Sequence, residues 1–323
     1  MKIDMRTDRK YYHLDSANST LLFENELVKL GIHINKDSDL YRIGYSVLET
    51  YEKQLNSSLH DNSIDLRESM SEVMGFNNYI EKLFPILTSD YKDSIKPHLE
   101  LLNNSSIPQT KKSRITDQGS NKLFELYMAS LCYPQFQNIK LDSPKKSKGD
   151  NPDIMFEYKG RTWGIACKVL HTSKPQTIFD NVVKAIDQIE KSKSDSGFVF
   201  LSLKNIIDYD DIWPILNKSD FINKKTDPVF GSFISPNIPV KKLESYVFKL
   251  QNDLATEFGN SIFEIFHNKK SQPVIVVFLQ AATGLIKENS PVFSLLGFLG
   301  MIRINYIPDF AIEVLKRINE RIN

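Results

Sequence analysis

The chain has 323 residues, 41% hydrophobic and 25% charged, with a net charge of +1. That length suggests about two domains with room for a substantial core, and the composition is that of an ordinary globular protein rather than a fibrous or disordered one. Nothing approaches the ~18 consecutive apolar residues of a membrane span.

The start, MKIDMRTDRKYYHLD, is too charged for a secretory leader. Cys132 and Cys167 lie in apolar surroundings and read as reduced thiols, and the six histidines are scattered without zinc spacing. The expectation is a cytoplasmic protein. Charge is unevenly spread: 12 Lys and Arg against 17 Asp and Glu through Thr110, then 29 against 23 beyond it. Local positive charge is what a nucleic-acid partner requires, and the excess falls in the second part.

Residues 1–105 read as a helical recognition or oligomerisation domain. Apolar residues recur at helical spacing in Tyr41–Leu55, Val73–Leu87 and Tyr91–Leu102, with Asp61, Ser63 and Asp65 as candidate caps. The stretch from Asn103 to Gly119 is polar, lacks periodicity and contains Pro and Gly; the linker is set at 106–119. Ser120 or Asn121 can cap a helix to about Cys132, with Leu123, Phe124, Tyr127, Met128 and Leu131 on one face and Glu125 near its beginning. A strand at Asn138–Leu141 and a basic loop, Lys145-Lys146-Ser147-Lys148, follow.

Asn151 to Leu170, NPDIMFEYKGRTWGIACKVL, reads as a β-hairpin. Ile154, Phe156 and Tyr158 alternate, Lys159-Gly160-Arg161 supplies the turn, and Trp163 to Leu170 returns as an apolar strand. Pro175 and Thr177 open a second helix, with Ile178, Val182, Ala185, Ile186 and Ile189 spaced to pack on a sheet. Gly197–Leu203 is a continuous apolar run, expected of a strand buried on both faces. Val240–Phe258 reads as a helix, Pro273–Gln280 as another buried strand and Pro308–Ile322 as a closing helix. Residues 205–240 hold Pro-rich loops around Trp213, read as an insertion near a substrate groove; the insertion is set at about 205–270 of a domain spanning 120–323. Gly284, Gly297 and Gly300 form no phosphate cradle, and no GxxxxGK[ST] occurs.

Asp153 at one strand's entrance and Lys168 on the next suit a metal-dependent phosphodiesterase: the carboxylate holds a divalent cation, and the ammonium orients the attacking water. The structural alternative is ordinary turn chemistry after Pro152 and a solvated edge lysine. Pro152-Asp153 followed by Gly164-Ile165-Ala166-Cys167-Lys168 resembles the signature of the PD-(D/E)XK nuclease superfamily, over about 85 residues from Ser120 to Lys204. The order helix, three strands, helix, strand matches that family's restriction-endonuclease-like αβββαβ core, so the expected class is α/β (α+β) with an N-terminal all-α domain.

The resemblance implies a Mg²⁺-dependent endonuclease, with Mn²⁺ able to substitute, acting on DNA or RNA. A prokaryotic restriction or antiphage role is implied by analogy, with a second copy or a defence-system protein as partner and no membrane. It assigns Asp153, residue 166, the Cys167 carbonyl and Glu125 to the metal, and Lys168 to the water. Gln188 resembles a helix Gln found in some members, and Lys184 lies one turn earlier. Lys145, Lys146, Lys148 and Lys184 would contact phosphates. Against these stand an exposed helix charge for Glu125, a solvated amide for Gln188 and a solvated loop for the lysines.

This sequence departs from the family at Ala166, where the second acidic residue belongs. Activity could have been lost, the ligand could have moved to Glu157 or Glu125, or a Glu could have been replaced by design; the intact flanks favour the last. Glu157 shares a strand face with Asp153 but lies about 13 Å along it. The competing reading is a non-catalytic module that binds nucleic acid or protein.

Overall fold

The computed structural model describes residues 13–44, 67–145, 149–214, 232–288 and 290–322. Most of the expected helix Tyr41–Leu55, its neighbouring caps Asp61, Ser63 and Asp65, and the loop residues Lys146 and Lys148 lie outside them. The architecture is mixed α/β, with a seven-stranded mixed sheet.

Helices α1 (His13–Lys29), α2 (Arg67–Leu87) and α3 (Lys92–Leu99) come first, and α3 runs on into a 3₁₀ turn, Glu100–Asn103. Then follow α4 (Gln118–Cys132), β1 (Gln137–Leu141), β2 (Ile154–Tyr158), β3 (Arg161–Val169), α5 (Pro175–Lys191) and β4 (Ser196–Ser202). The expected order of elements is therefore present. After it come a single turn α6 (Tyr209–Ile212), the short β5 (Phe233–Ile234), α7 (Asn237–Phe258), α8 (Ser261–Glu264), β6 (Ser271–Lys287), β7 (Ser290–Arg303) and α9 (Asp309–Ile322).

The hairpin turn is two residues long. Lys159 and Gly160 both have positive φ, 49° and 72°, the primed turn whose twist matches antiparallel strands, so Arg161 already pairs with Tyr158. β3 and β4 are parallel, joined by α5, and β4 and β6 are parallel in turn. β6 pairs antiparallel with β7 from Val274 to Lys287. β4 and β5 therefore share its other edge, β4 along the first half and β5 near Gly284.

Alternation along the strands divides the interior into two apolar layers. Trp163, Ile165, Cys167, Phe198, Phe200, Val276 and Phe278 face a layer with α2, α4 and α9. Ala166, Val199, Leu201, Ile275, Val277 and Leu279 face α5 and α7. Because both faces are covered, the central strands read as unbroken apolar runs. Trp163 stacks on Phe198 at 5.2 Å between ring centroids.

Four expectations are corrected. The linker at 106–119 is packed rather than solvated where Ile107, Gln109 and Thr110 are buried, and Thr110 Oγ1 donates to Ser71 O of α2. The first apolar layer runs across it, joining Tyr79 and Leu83 to Phe124 and Phe278. The cap of α4 is Asp117, which accepts from Ser120 N. Trp213 packs with Met70, Met74 and Leu295 rather than standing in a substrate loop. β7 was not anticipated, and β6 extends seven residues past the expected end at Gln280.

Lys204, just past β4, is 1% exposed and donates to Ser120 Oγ at 2.6 Å. Burial pushes its pKa down to about 8. Gly197 marks the closest approach of α5 to the sheet: a Cβ there would sit 2.6 Å from Gly164 O and 2.7 Å from Ile189 Cγ2. Gly197→Ala is expected to lower unfolding free energy by about 1–3 kcal/mol, as overpacking does; unchanged urea unfolding would contradict that packing.

Candidate functional site

Asp153 stands one residue before β2, so the hairpin register, Ile154 opposite Ile165, sets it across from Ala166 on the same sheet face. It is buried. Its Oδ2 accepts the Cys167 N–H at 2.7 Å, and its carbonyl accepts the Asp142 N–H at 2.9 Å. The carboxyl is thus clamped to the returning strand at the point where the family signature would put its acidic residue and lysine.

Glu125 reaches this carboxyl from α4. It too is buried, and the two carboxyls are close enough to share a hydrogen bond. Burial, then the charge of Glu125, pushes the Asp153 pKa up to about 6, and burial raises that of Glu125. Two like charges removed from water disfavour joint ionisation, and lysines compensate. Lys122, one turn before Glu125 on α4, places Nζ 2.8 Å from Glu125 Oε2 and 3.5 Å from Asp153 Oδ1. Burial works against the Lys122 charge, but Glu125 and Asp153 outweigh it and its pKa is raised.

Lys168 approaches the other oxygen, with Nζ 3.9 Å from Asp153 Oδ2. It donates to Gln188 Oε1 at 2.5 Å, and the Gln188 amide donates to Asn151 O at 3.2 Å. Gln188 therefore ties the lysine, α5 and the loop before Asp153 together. Ala166 is wholly buried among the apolar residues facing α5 and offers no oxygen.

Two further groups complete the surroundings. His98, in the last turn of α3, is 1% exposed; its Nε2 lies 3.9 Å from Glu125 Oε2, and neither ring nitrogen has a hydrogen-bond partner. Burial, then nearby Lys122, pushes its pKa down to about 4, so the imidazole is neutral at pH 7. Asp142 ends the approach to β2 with its Oδ2 buried and unpartnered by hydrogen bonds.

Glu125, Asp153, Ala166, Cys167, Lys168 and Gln188 are thus brought together. Lys145 is exposed and bonded to Glu100 at 2.7 Å, and Lys184 is exposed on α5; neither joins the carboxylates. Glu157 bonds Asn138 at 2.8 Å and is no substitute for the missing ligand. Sequence reasoning missed Lys122, His98 and Asp142. The Lys122–Glu125 spacing of three was the only available signal, and nothing local marked the other two.

The donor set does not fit a resident Mg²⁺. Such an ion takes near-octahedral oxygens at about 2.0–2.1 Å, whereas both carboxylates here are ion-paired to lysines and position 166 is a methyl group. Among the described residues, no three His, Cys, Asp or Glu side chains are arranged to hold a metal ion, and no helix is long and apolar enough to cross a membrane. Comparison with family models, curated proteins and solved structures found no match.

Proposed function

We propose that this chain carries the core of a nucleic-acid endonuclease of the PD-(D/E)XK kind, acting on DNA, whose cleavage chemistry needs a carboxylate at position 166 and which is impaired with Ala166. The observation that carries the reading is the meeting of Asp153, Glu125, Lys168 and Gln188 at the entrance of one hairpin, with position 166 directly across from Asp153. The order of elements from α4 to β4 supports a restriction-endonuclease-like core.

In this reading Lys168 stabilises charge developing on a phosphate oxygen, and Gln188 holds that ammonium in place. Asp153, fixed by the Cys167 N–H, keeps Lys168 charged. A prokaryotic restriction or antiphage role follows only from analogy. The test is cleavage of supercoiled plasmid by the Ala166→Glu variant in Mg²⁺ or Mn²⁺, with Ala166→Glu/Lys168→Ala as its control.

A second reading is favoured by one observation. Lys122 and Lys168 balance the two carboxylates without a metal, which suits a non-catalytic module that binds nucleic acid. Failure of the variant to bind metal or to cut DNA or RNA would select it.

A further inference from the structure

Lys122 sits where a small cation would be expected. Its ammonium lies between two buried carboxylates of different elements, 2.8 Å from Glu125 and 3.5 Å from Asp153. The imidazole of His98, fully buried and without a hydrogen-bond partner, points its Nε2 to within 3.9 Å of the same Glu125 oxygen. A buried imidazole that bonds to nothing is unusual, because desolvating a ring nitrogen without a partner is unfavourable. A neutral imidazole with two carboxylates is a donor set suited to Mn²⁺, Co²⁺ or Zn²⁺.

We propose that Lys122 is the site's internal cation: its ammonium fills a latent divalent-metal position formed by His98, Glu125 and Asp153, and metal and lysine exclude each other there. Lys122 is suited to such exchange. Its side chain is 21% exposed whereas those of both carboxylates are almost fully buried, so the flexible stem can withdraw towards solvent while the acids stay in place. The proposal concerns metal occupancy alone and does not depend on the cleavage reading.

The test is calorimetric titration of the full chain with Mn²⁺ and, separately, Co²⁺, for the chain as written, Lys122→Met, Lys122→Arg and Lys122→Met/His98→Phe. Lys122→Met should bind Mn²⁺ at least about tenfold more tightly than the chain as written, in keeping with the effect of altering groups around a metal site. Lys122→Arg, which keeps the charge, should not gain affinity, and the added His98→Phe should remove the gain. With Co²⁺, Lys122→Met should develop visible d–d absorption that is absent when His98 is Phe.

Lys122→Met could unfold, since it leaves two buried carboxylates uncompensated. Circular dichroism with and without Mn²⁺ covers that outcome, and metal-dependent refolding supports the proposal. Equal Mn²⁺ affinity in the chain as written and in Lys122→Met overturns it. So does a Lys122→Met chain, folded or not, that neither binds nor is ordered by metal. Whatever the result, the Ala166→Glu cleavage assay reports on the nuclease reading separately.

Discussion

Ala166→Glu is expected to give Mg²⁺-dependent nicking of supercoiled plasmid, where the chain as written gives none or nearly none. The argument is one of charge and position. Two carboxylates, Glu125 and Asp153, are balanced by the ammoniums of Lys122 and Lys168, so a hard dication gains little by entering. A glutamate across from Asp153 tips the balance to negative and adds oxygen donors on the same sheet face. Changes to groups that merely surround a metal ligand alter affinity or activity by about 10–100-fold, so adding a ligand should do at least as much. The new side chain starts in an apolar layer against α5, so some loss of stability should accompany the gain. Adding Lys168→Ala should abolish cleavage with metal binding retained. An Ala166→Glu chain that binds no metal and cuts neither DNA nor RNA would remove the nuclease reading.

The largest expected effect on stability comes from Lys204. Its pKa is near 8 in the folded chain because of burial, and about 10.4 when unfolded. The folded state therefore binds protons less readily than the unfolded one, and stability falls as pH drops through this window and is restored as it rises. Linkage over that shift amounts to about 3 kcal/mol in full, of which about 2 kcal/mol should be recovered between pH 7 and pH 9.5. Lys204→Met should remove this slope. It should also make the protein more stable at pH 7 by about 2 kcal/mol, after allowing about 1 kcal/mol for the lost bond to Ser120. Urea unfolding of both chains at the two pH values measures this; parallel pH dependences would show that Lys204 is not the titrating group.

The parts of the fold legible in the sequence were those with strong local periodicity. The hairpin from Ile154 to Val169 was readable because a half-buried strand, a Gly-containing turn and a fully buried strand each leave a distinct pattern. α5 and α9 were readable from apolar residues at helical spacing. β7 was not: its run SPVFSLLGFLGMIR is apolar, with two glycines that read as breaks, and only pairing along β6 fixes it as a strand. At the site, Asp153 and Lys168 were visible as a spaced pair on adjacent strands. His98 comes from a helix 55 positions before Asp153, and no local rule relates them. Lys122 looked like a surface charge one turn from Glu125, because its role arises only when α4 meets the hairpin. Asp117 displaced Ser120 as the cap because Ser120 is drawn inward to Lys204.

The pairing of β4 bears on how the molecule assembles. The β2–β3 and β6–β7 hairpins join neighbouring segments, whereas β4 must find β6 across roughly 75 residues of intervening chain, and such distant pairings are slow because loop closure precedes any gain. Both partners of β4 are parallel, so neither can be reached by a tight turn. The two hairpins are therefore expected to form first as separate rafts, with β4 zipped between them in the rate-limiting step. Pulse-labelled hydrogen exchange during refolding should show amides of β6 and β7 protected ahead of those at Phe198 to Leu201. The reverse order would mean that the parallel centre nucleates the sheet.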